Sequence, residues 1–215
     1  GLTVSQFEMS VPSALLTAWI WLEEGRVDSL LLGAVDEYCE VLGYCWRRFF
    51  GDLGKNEAGM QPLDLDRQTA VPGEGAAFFL LTREEKADHA PYGFIERVRV
   101  GRGPLDPSRI PQEALLILGA DGQRGCASFY KQFMAGPNPI RCYSSLYGSL
   151  PVGPAFDLAV AALSLKNRKV FSHPSFREGR KEKEGIGSGA VGQVRRICCL
   201  KMGDEGEWGE ILLGK

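Results

Sequence analysis

Six cysteines, two histidines and one glycine-rich run are the residues of this 215-residue chain with the most direct claim to chemistry. None stands in the pattern its chemistry requires. Cys39, Cys45, Cys126, Cys142, Cys198 and Cys199 are scattered without C-x-x-C spacing, so they predict neither a zinc site nor a thioredoxin-like redox pair. They read as small buried hydrophobes in a reduced, cytoplasmic protein. Cys198 and Cys199 adjoin in a strand pattern and should face opposite sides of a sheet. His89 and His173 fall in linker and loop sequence, where a histidine is an ordinary surface residue. Gly187 to Gly192 matches G-x-G-x-x-G, but a charged loop precedes it and a strand follows. A dinucleotide cradle needs the strand before and a helix after. No metal and no cofactor is therefore expected. The mixed run Arg177 to Glu184, REGRKEKE, reads as a solvated loop rather than a docking site for an acidic protein.

The elements that would position any site follow from hydrophobic periodicity. A helix is predicted from about Val11 to Glu24, with Ser10 as N-cap, Pro12 and Ser13 in the first turn and Gly25 as its stop. Just before it stands Glu8, a carboxylate that the helix dipole and unpaired N–H groups should keep ionised and hydrogen-bonded. Asp28 to Val35 is an apolar run suited to a strand covered on both faces. A partly helical aromatic segment follows, then a surface loop from about Lys55 to Pro72, and a second buried strand over AAFFLLT. Arg83 to Gly93 reads as a linker between two halves. Beyond it, strands are expected at Phe94 to Val100, Ala114 to Leu118 and Ile140 to Ser144. Helices are expected at Cys126 to Met134 and Pro154 to Lys166. Phe176 to Gly192 is charged and then Gly-rich, and Val194 to Met202 with Glu210 to Leu213 close the chain as a strand pair. The helices at Val11 and Pro154 both follow a small-residue turn, which suggests two related halves in a layered α/β fold.

Composition excludes several function classes. With 44% hydrophobic residues the chain can bury a sizeable core. A net charge of −2, with basic and acidic residues interleaved, leaves no footprint for nucleic acid. Apolar stretches such as Ala14 to Leu22 and Ala76 to Leu81 fall far short of the roughly 18 residues a membrane span needs. The N-terminus has no signal-peptide pattern.

Four segments resemble one family in the right order. ALLTAWIWLEEGRVDSLLLGAVDE is similar to a helix and strand of β-ketoacyl synthases, and GEGAAFFLL to their GEGA strand. LYGSLPVGPAFDLAVAALSLKNRKVFSHP is similar to their GH…GAAG helix, and KMGDEGEWGEILL to their final Gly-rich loop and strand. The divergent, chain-length-factor-like branch is the nearest resemblance. It implies the thiolase-like layered αβαβα fold, here lacking the first strands and helices of the N-terminal repeat. Residues 1–88 would complete that repeat and residues 93–215 would form the C-terminal one. The chain would then be a fragment of a longer product, or else another chain would supply the missing layer.

The same resemblance assigns the chemistry. A condensing enzyme uses a cysteine thiolate at a helix N-terminus and two histidines that assist decarboxylation and stabilise the oxyanion. The cysteine position matches Glu8, the first histidine Asp121 in GADGQ, and the second Ser149 in YGSLP. The family's Cys-His-His set is absent. The implied function is a catalytically degenerate, chain-length-factor-like or acyl-chain-binding protein of fatty-acid or polyketide synthesis. Its partners would be an active β-ketoacyl synthase or a second copy of itself, with Leu2 to Phe7 pairing as a strand across the dimer axis. An acyl carrier protein or acyl thioester would be a further partner. The alternative is a 3-oxoacyl-[acyl-carrier-protein] synthase or acyltransferase with a rearranged site, in which Glu8 and Asp121 share a proton or Ser149 takes part.

Overall fold

A computed structural model describes residues 1–50, 59–83, 90–172 and 194–215. Along the chain the elements are α1 (Ser10–Glu23), β1 (Ser29–Asp36), α2 (Glu40–Phe50), β2 (Gly75–Thr82), β3 (Phe94–Arg102), β4 (Leu115–Leu118), α3 (Arg124–Met134), β5 (Ile140–Arg141), α4 (Ser144–Tyr147), α5 (Gly153–Asn167), β6 (Arg196–Met202) and β7 (Glu207–Gly214). β1 and β2 form an antiparallel pair, running from Ser29 opposite Thr82 to Asp36 opposite Gly75. The other strands form a five-stranded sheet of order β3-β7-β6-β4-β5. In it β4 runs parallel to β5 and β6, while β7 is antiparallel to β6 and β3.

Helices α1 and α5 are apolar on almost every side, a composition stable only where both faces are covered. They occupy the middle layer. Leu15 and Ala18 of α1 join Leu158, Ala161 and Leu165 of α5 in a core that takes in Leu32 from the two-stranded sheet. From the large sheet the same core takes Leu115, Ile117, Ile197, Cys199 and Ile211. Helix α3 is amphipathic, and its buried Cys126, Ala127, Tyr130 and Phe133 lie on one stripe. That stripe covers the far face of the large sheet against Leu116, Leu118, Cys198, Leu200 and Met202. Cys198 and Cys199 do face opposite sides. A layered, mixed α/β fold results, with most elements close to the expected boundaries; the strand expected at Ile140 to Ser144 is only Ile140–Arg141, and Ser144 opens the helix α4.

Several expectations are corrected. Leu2 to Phe7 is not a strand: residues 1–6 have no regular structure and Phe7 opens a 3-10 turn, Phe7–Met9. A strand exists only through its ladder, and no described strand pairs there. Ser10 is the first helical residue rather than the N-cap, because its hydroxyl accepts from the Gln6 N–H at 2.7 Å instead of capping the helix. Strands β1 and β2 are not buried on both faces but alternate, with Leu32 and Ala34 buried while Leu31, Val35, Phe78 and Leu80 are exposed. The segment up to Pro72 is a surface loop only in part: Asp66 and Arg67 are exposed, but Thr69 and Ala70 are buried. Cys39 is exposed and Cys45 half-buried, so four of the six cysteines fit the buried reading. His89, His173, the Gly187 to Gly192 run and Arg177 to Glu184 lie outside the described residues.

Candidate functional site

Three loops and one strand meet at the N-terminal ends of α1 and α5. Asp121 follows β4, Ser149 lies between α4 and α5, Glu8 sits in the turn before α1, and Lys201 projects from the end of β6. The three positions singled out by resemblance are thus brought together, around a lysine that the motif matching did not flag.

Asp121 is the hub. Its Oδ2 accepts from the Ser149 hydroxyl at 2.6 Å, from Lys201 Nζ at 2.9 Å and from Gln123 Nε2 at 3.2 Å. Gln123 Nε2 also donates to Ser149 Oγ at 3.1 Å, and Lys201 Nζ donates to the Gly119 carbonyl at 3.1 Å. Asp121, Gln123, Ser149 and Lys201 are all buried. Burial presses Lys201 toward its neutral form, but Asp121 chiefly, then Tyr130, Cys126 and Glu8, outweigh it, so its pKa lies above that of an ordinary lysine.

Glu8 joins through charge rather than through a side-chain hydrogen bond to Lys201. Burial raises its pKa, while Lys201 and its own backbone N–H pull it back and Asp121 pushes it further up. This corrects the expectation of a carboxylate held ionised by the helix end, since desolvation is the larger effect here. Asp121 accepts hydrogen bonds from Lys201 and Ser149, and its charge is felt at Glu8.

A second buried carboxylate stands behind this group. Asp157 on α5 accepts from the Tyr147 hydroxyl at 2.7 Å. Burial pushes its pKa up to about 6, with the Tyr147 hydrogen bond and the Lys201 charge opposing the rise. Two narrow gaps flank Asp157 and Lys201, the first beside Gly119 and Tyr147, the second beside Pro12 and Gly209, and neither has room for a water molecule. Neither is a small-molecule pocket, which needs roughly 300 Å³.

The segment from Gln68 to Gly73 closes the outside. Thr69 and Ala70 N–H groups donate to the Gly122 carbonyl at 2.8 and 3.1 Å, and the Ser149 N–H donates to Val71 O at 2.7 Å. Two glycines make this possible. Gly122 and Gly148 have φ of +78° and +82°, and a Cβ would lie 2.5 Å from Thr69 Oγ1 or 2.7 Å from Gly73 Cα. The nearby thiols are poor nucleophiles, because burial pushes Cys126 and Cys142 up to about 12. Among the described residues no group of three metal-ligating side chains is found.

Lys201 and Asp157 carried signals in the sequence. Each is a charge inside an apolar run, ICCLKM and AFDLAVAALSL, and such a charge needs a partner when buried. Gln123 had no comparable signal.

No protein-family model matches the chain, and no curated protein matches it. Solved structures do. The chain is similar to the ishigamide ketosynthase/chain length factor at 15% identity and TM-score 0.70, covering 95% of this chain and 58% of that one. A β-ketoacyl synthase from Burkholderia phymatum aligns at 14% identity and TM-score 0.73, over 96% of this chain and 59% of that one. One chain of a structure described as a type II PKS acyl-carrier protein in complex with its ketosynthase aligns at 14% identity and TM-score 0.65, over 99% of this chain and 59% of that one. The chain therefore has the thiolase-like fold of ketosynthases and spans a little over half the length of these chains. No described helix is long and apolar enough to cross a membrane.

Proposed function

We propose that this chain belongs to a catalytically silent, chain-length-factor-like protein that pairs with an active β-ketoacyl synthase, or with itself, in fatty-acid or polyketide synthesis. The observation that carries this reading is the Asp121–Lys201–Ser149–Gln123 network. At the positions that the resemblance matches to the family's two histidines, Asp121 and Ser149 hydrogen-bond within this buried network, in which Gln123 Oε1 is left without a partner, and Glu8 stands at the matched cysteine position. Retaining a scaffold while filling its site is what a structural partner requires. In this reading residues 1–88 and 93–215 are the two thiolase-like halves, the protein is cytoplasmic, and acyl carrier protein approaches the paired enzyme.

One observation favours a second reading, an acyltransferase with a rearranged site. The Ser149 hydroxyl points its proton at a carboxylate, 2.6 Å from Asp121 Oδ2, as a base-activated nucleophile would. Against it, the same oxygen accepts from Gln123 and the site is closed by the Gln68 to Gly73 segment. The full-length protein is incubated with acyl and malonyl thioesters, then weighed by mass spectrometry and assayed for released CO2. The silent reading expects no acyl adduct, no decarboxylation, and co-purification with a synthase. An adduct lost in Ser149→Ala would overturn it in favour of the second.

A further inference from the structure

Residues 68–73 cross the outside of the polar cluster as a strap, bridged to Ser149 at Pro72, with Val71 45% exposed. A short set of bonds holds it down, all of them to residues beside Asp121 or at Ser149. Thr69 and Ala70 donate to the Gly122 carbonyl, the Ser149 N–H donates to Val71 O, and the Gly73 N–H donates to the Ser149 carbonyl at 3.0 Å. Gln68 Oε1 accepts from the Arg124 N–H at 2.8 Å, at the start of α3. Closure leaves Gln68 Nε2 and Gln123 Oε1 buried without a partner, a cost that contact with water would relieve.

Under the strap lies an excess of acid. Among the described residues, buried Asp121 and Asp157 and half-buried Glu8 share the Lys201 ammonium, so full ionisation would leave two negative charges uncompensated. Asp121 holds that ammonium directly, at 2.9 Å. The groups facing Asp157 are Tyr147 on α4, Tyr143 and Cys142 just before it, Lys201 and Cys199 on β6, and Asp121 after β4. From α1 and β7 come Pro12, Gly209 and Ile211, which carry no charge.

Tyr147 connects this acid to the strap. Its hydroxyl donates to Asp157 Oδ1 at 2.7 Å, its ring stacks on Phe156 at 5.0 Å, and its chain continues through Gly148 into Ser149. Phe156 in turn packs on Gly75, just past the strap, where a Cβ would lie 2.8 Å from the ring. A change at Asp157 therefore reaches both the Ser149 anchor and the far end of the strap.

From this geometry we infer that residues 68–73 form a proton-controlled strap: it closes over Asp121 and Ser149 while Asp157 is protonated, and release of that proton to solvent opens it. The open state hydrates the ionised carboxylate and the two unpaired amide groups, and it uncovers the Ser149 hydroxyl. The inference concerns access to the site, so it is independent of whether the site is silent. Burial raises the Asp157 pKa from 3.8 to about 6 in the closed state, so closure is fully favoured below about pH 4 and is lost as pH rises through about 6. Across that window the opening equilibrium changes by up to about 100-fold.

Native-state hydrogen exchange of the full-length protein between about pH 4.5 and 8, corrected for the intrinsic pH dependence of amide exchange, reads the strap at Thr69, Ala70, Gly73 and Ser149. Their protection should fall at least about tenfold with a midpoint near pH 6. In low urea it should stay level while that of the β6 amides drops, as a local opening requires. Asp157→Asn, which still accepts from Tyr147, should abolish the step near pH 6. A flat wild-type profile would overturn the inference. So would an unaltered step in Asp157→Asn, or strap protection that matches β6 in size and urea dependence, because the strap would then open only with the whole domain. Should Asp157→Asn fail to fold, the wild-type profile decides alone: a step near pH 6 that is insensitive to urea supports the strap, and its absence overturns it.

Discussion

Replacing Lys201 by Met tests whether the polar cluster is one interdependent unit. Lys201 Nζ lies 2.9 Å from Asp121 Oδ2, with side-chain exposures of 4% and 5%. At an effective dielectric of about 20, two unit charges at that separation attract by about 6 kcal/mol. Taking both ions out of water costs several kcal/mol each, so the intact pair nets close to zero. The single substitution is another matter, because it strands Asp121 as an uncompensated buried anion and frees the Gly119 carbonyl. Lys201→Met should therefore cost about 3–5 kcal/mol. The double variant Lys201→Met with Asp121→Asn removes both charges and should cost clearly less than the two single losses added together. Urea denaturation of all four proteins at pH 7, with midpoints converted at a common slope, gives the cycle. A Lys201→Met loss under about 1 kcal/mol, or strict additivity, would refute the argument.

Two other outcomes follow from the same interior. Asp157 has its pKa raised by burial from 3.8 to about 6, so the unfolded state ionises first. Its stabilising contribution is present below about pH 4 and is lost as pH rises through about 6, on the order of 2–3 kcal/mol. Asp157→Asn, which still accepts from Tyr147, should remove that slope between pH 4 and 7; parallel wild-type and variant curves would refute it. Thiol labelling of the folded protein at pH 8 should be confined to Cys39 and Cys45, because Cys126, Cys142, Cys198 and Cys199 are buried with raised pKa values. Mass measurement of the labelled chain checks this, and rapid modification of Cys126 or Cys142 would count against the inert-thiol reading.

Periodicity made most elements legible. An all-round apolar helix such as α1 or α5 has one stable place, between two layers, and an amphipathic helix such as α3 must lie on an outer face. The residues of Cys198 and Cys199 could be assigned to opposite faces because strand alternation is a local property. The exposed sides of β1 and β2 were not legible, because an apolar run records what a strand prefers and not whether a neighbour is there to cover it. The burial of Thr69 and Ala70 was hidden for a similar reason: their partner, the Gly122 carbonyl, lies some fifty residues away.

By itself the sequence determined the layered α/β fold and which residue types stand at Glu8, Asp121 and Ser149, since both are read from local pattern and collinear resemblance. Tertiary structure alone decided what those residues do to one another. Lys201 is about eighty positions from Asp121 and nearly two hundred from Glu8, and its charge becomes decisive only once β6 brings it into a space from which water is excluded. In water such charges would be screened; buried together, they set each other's protonation and close the site.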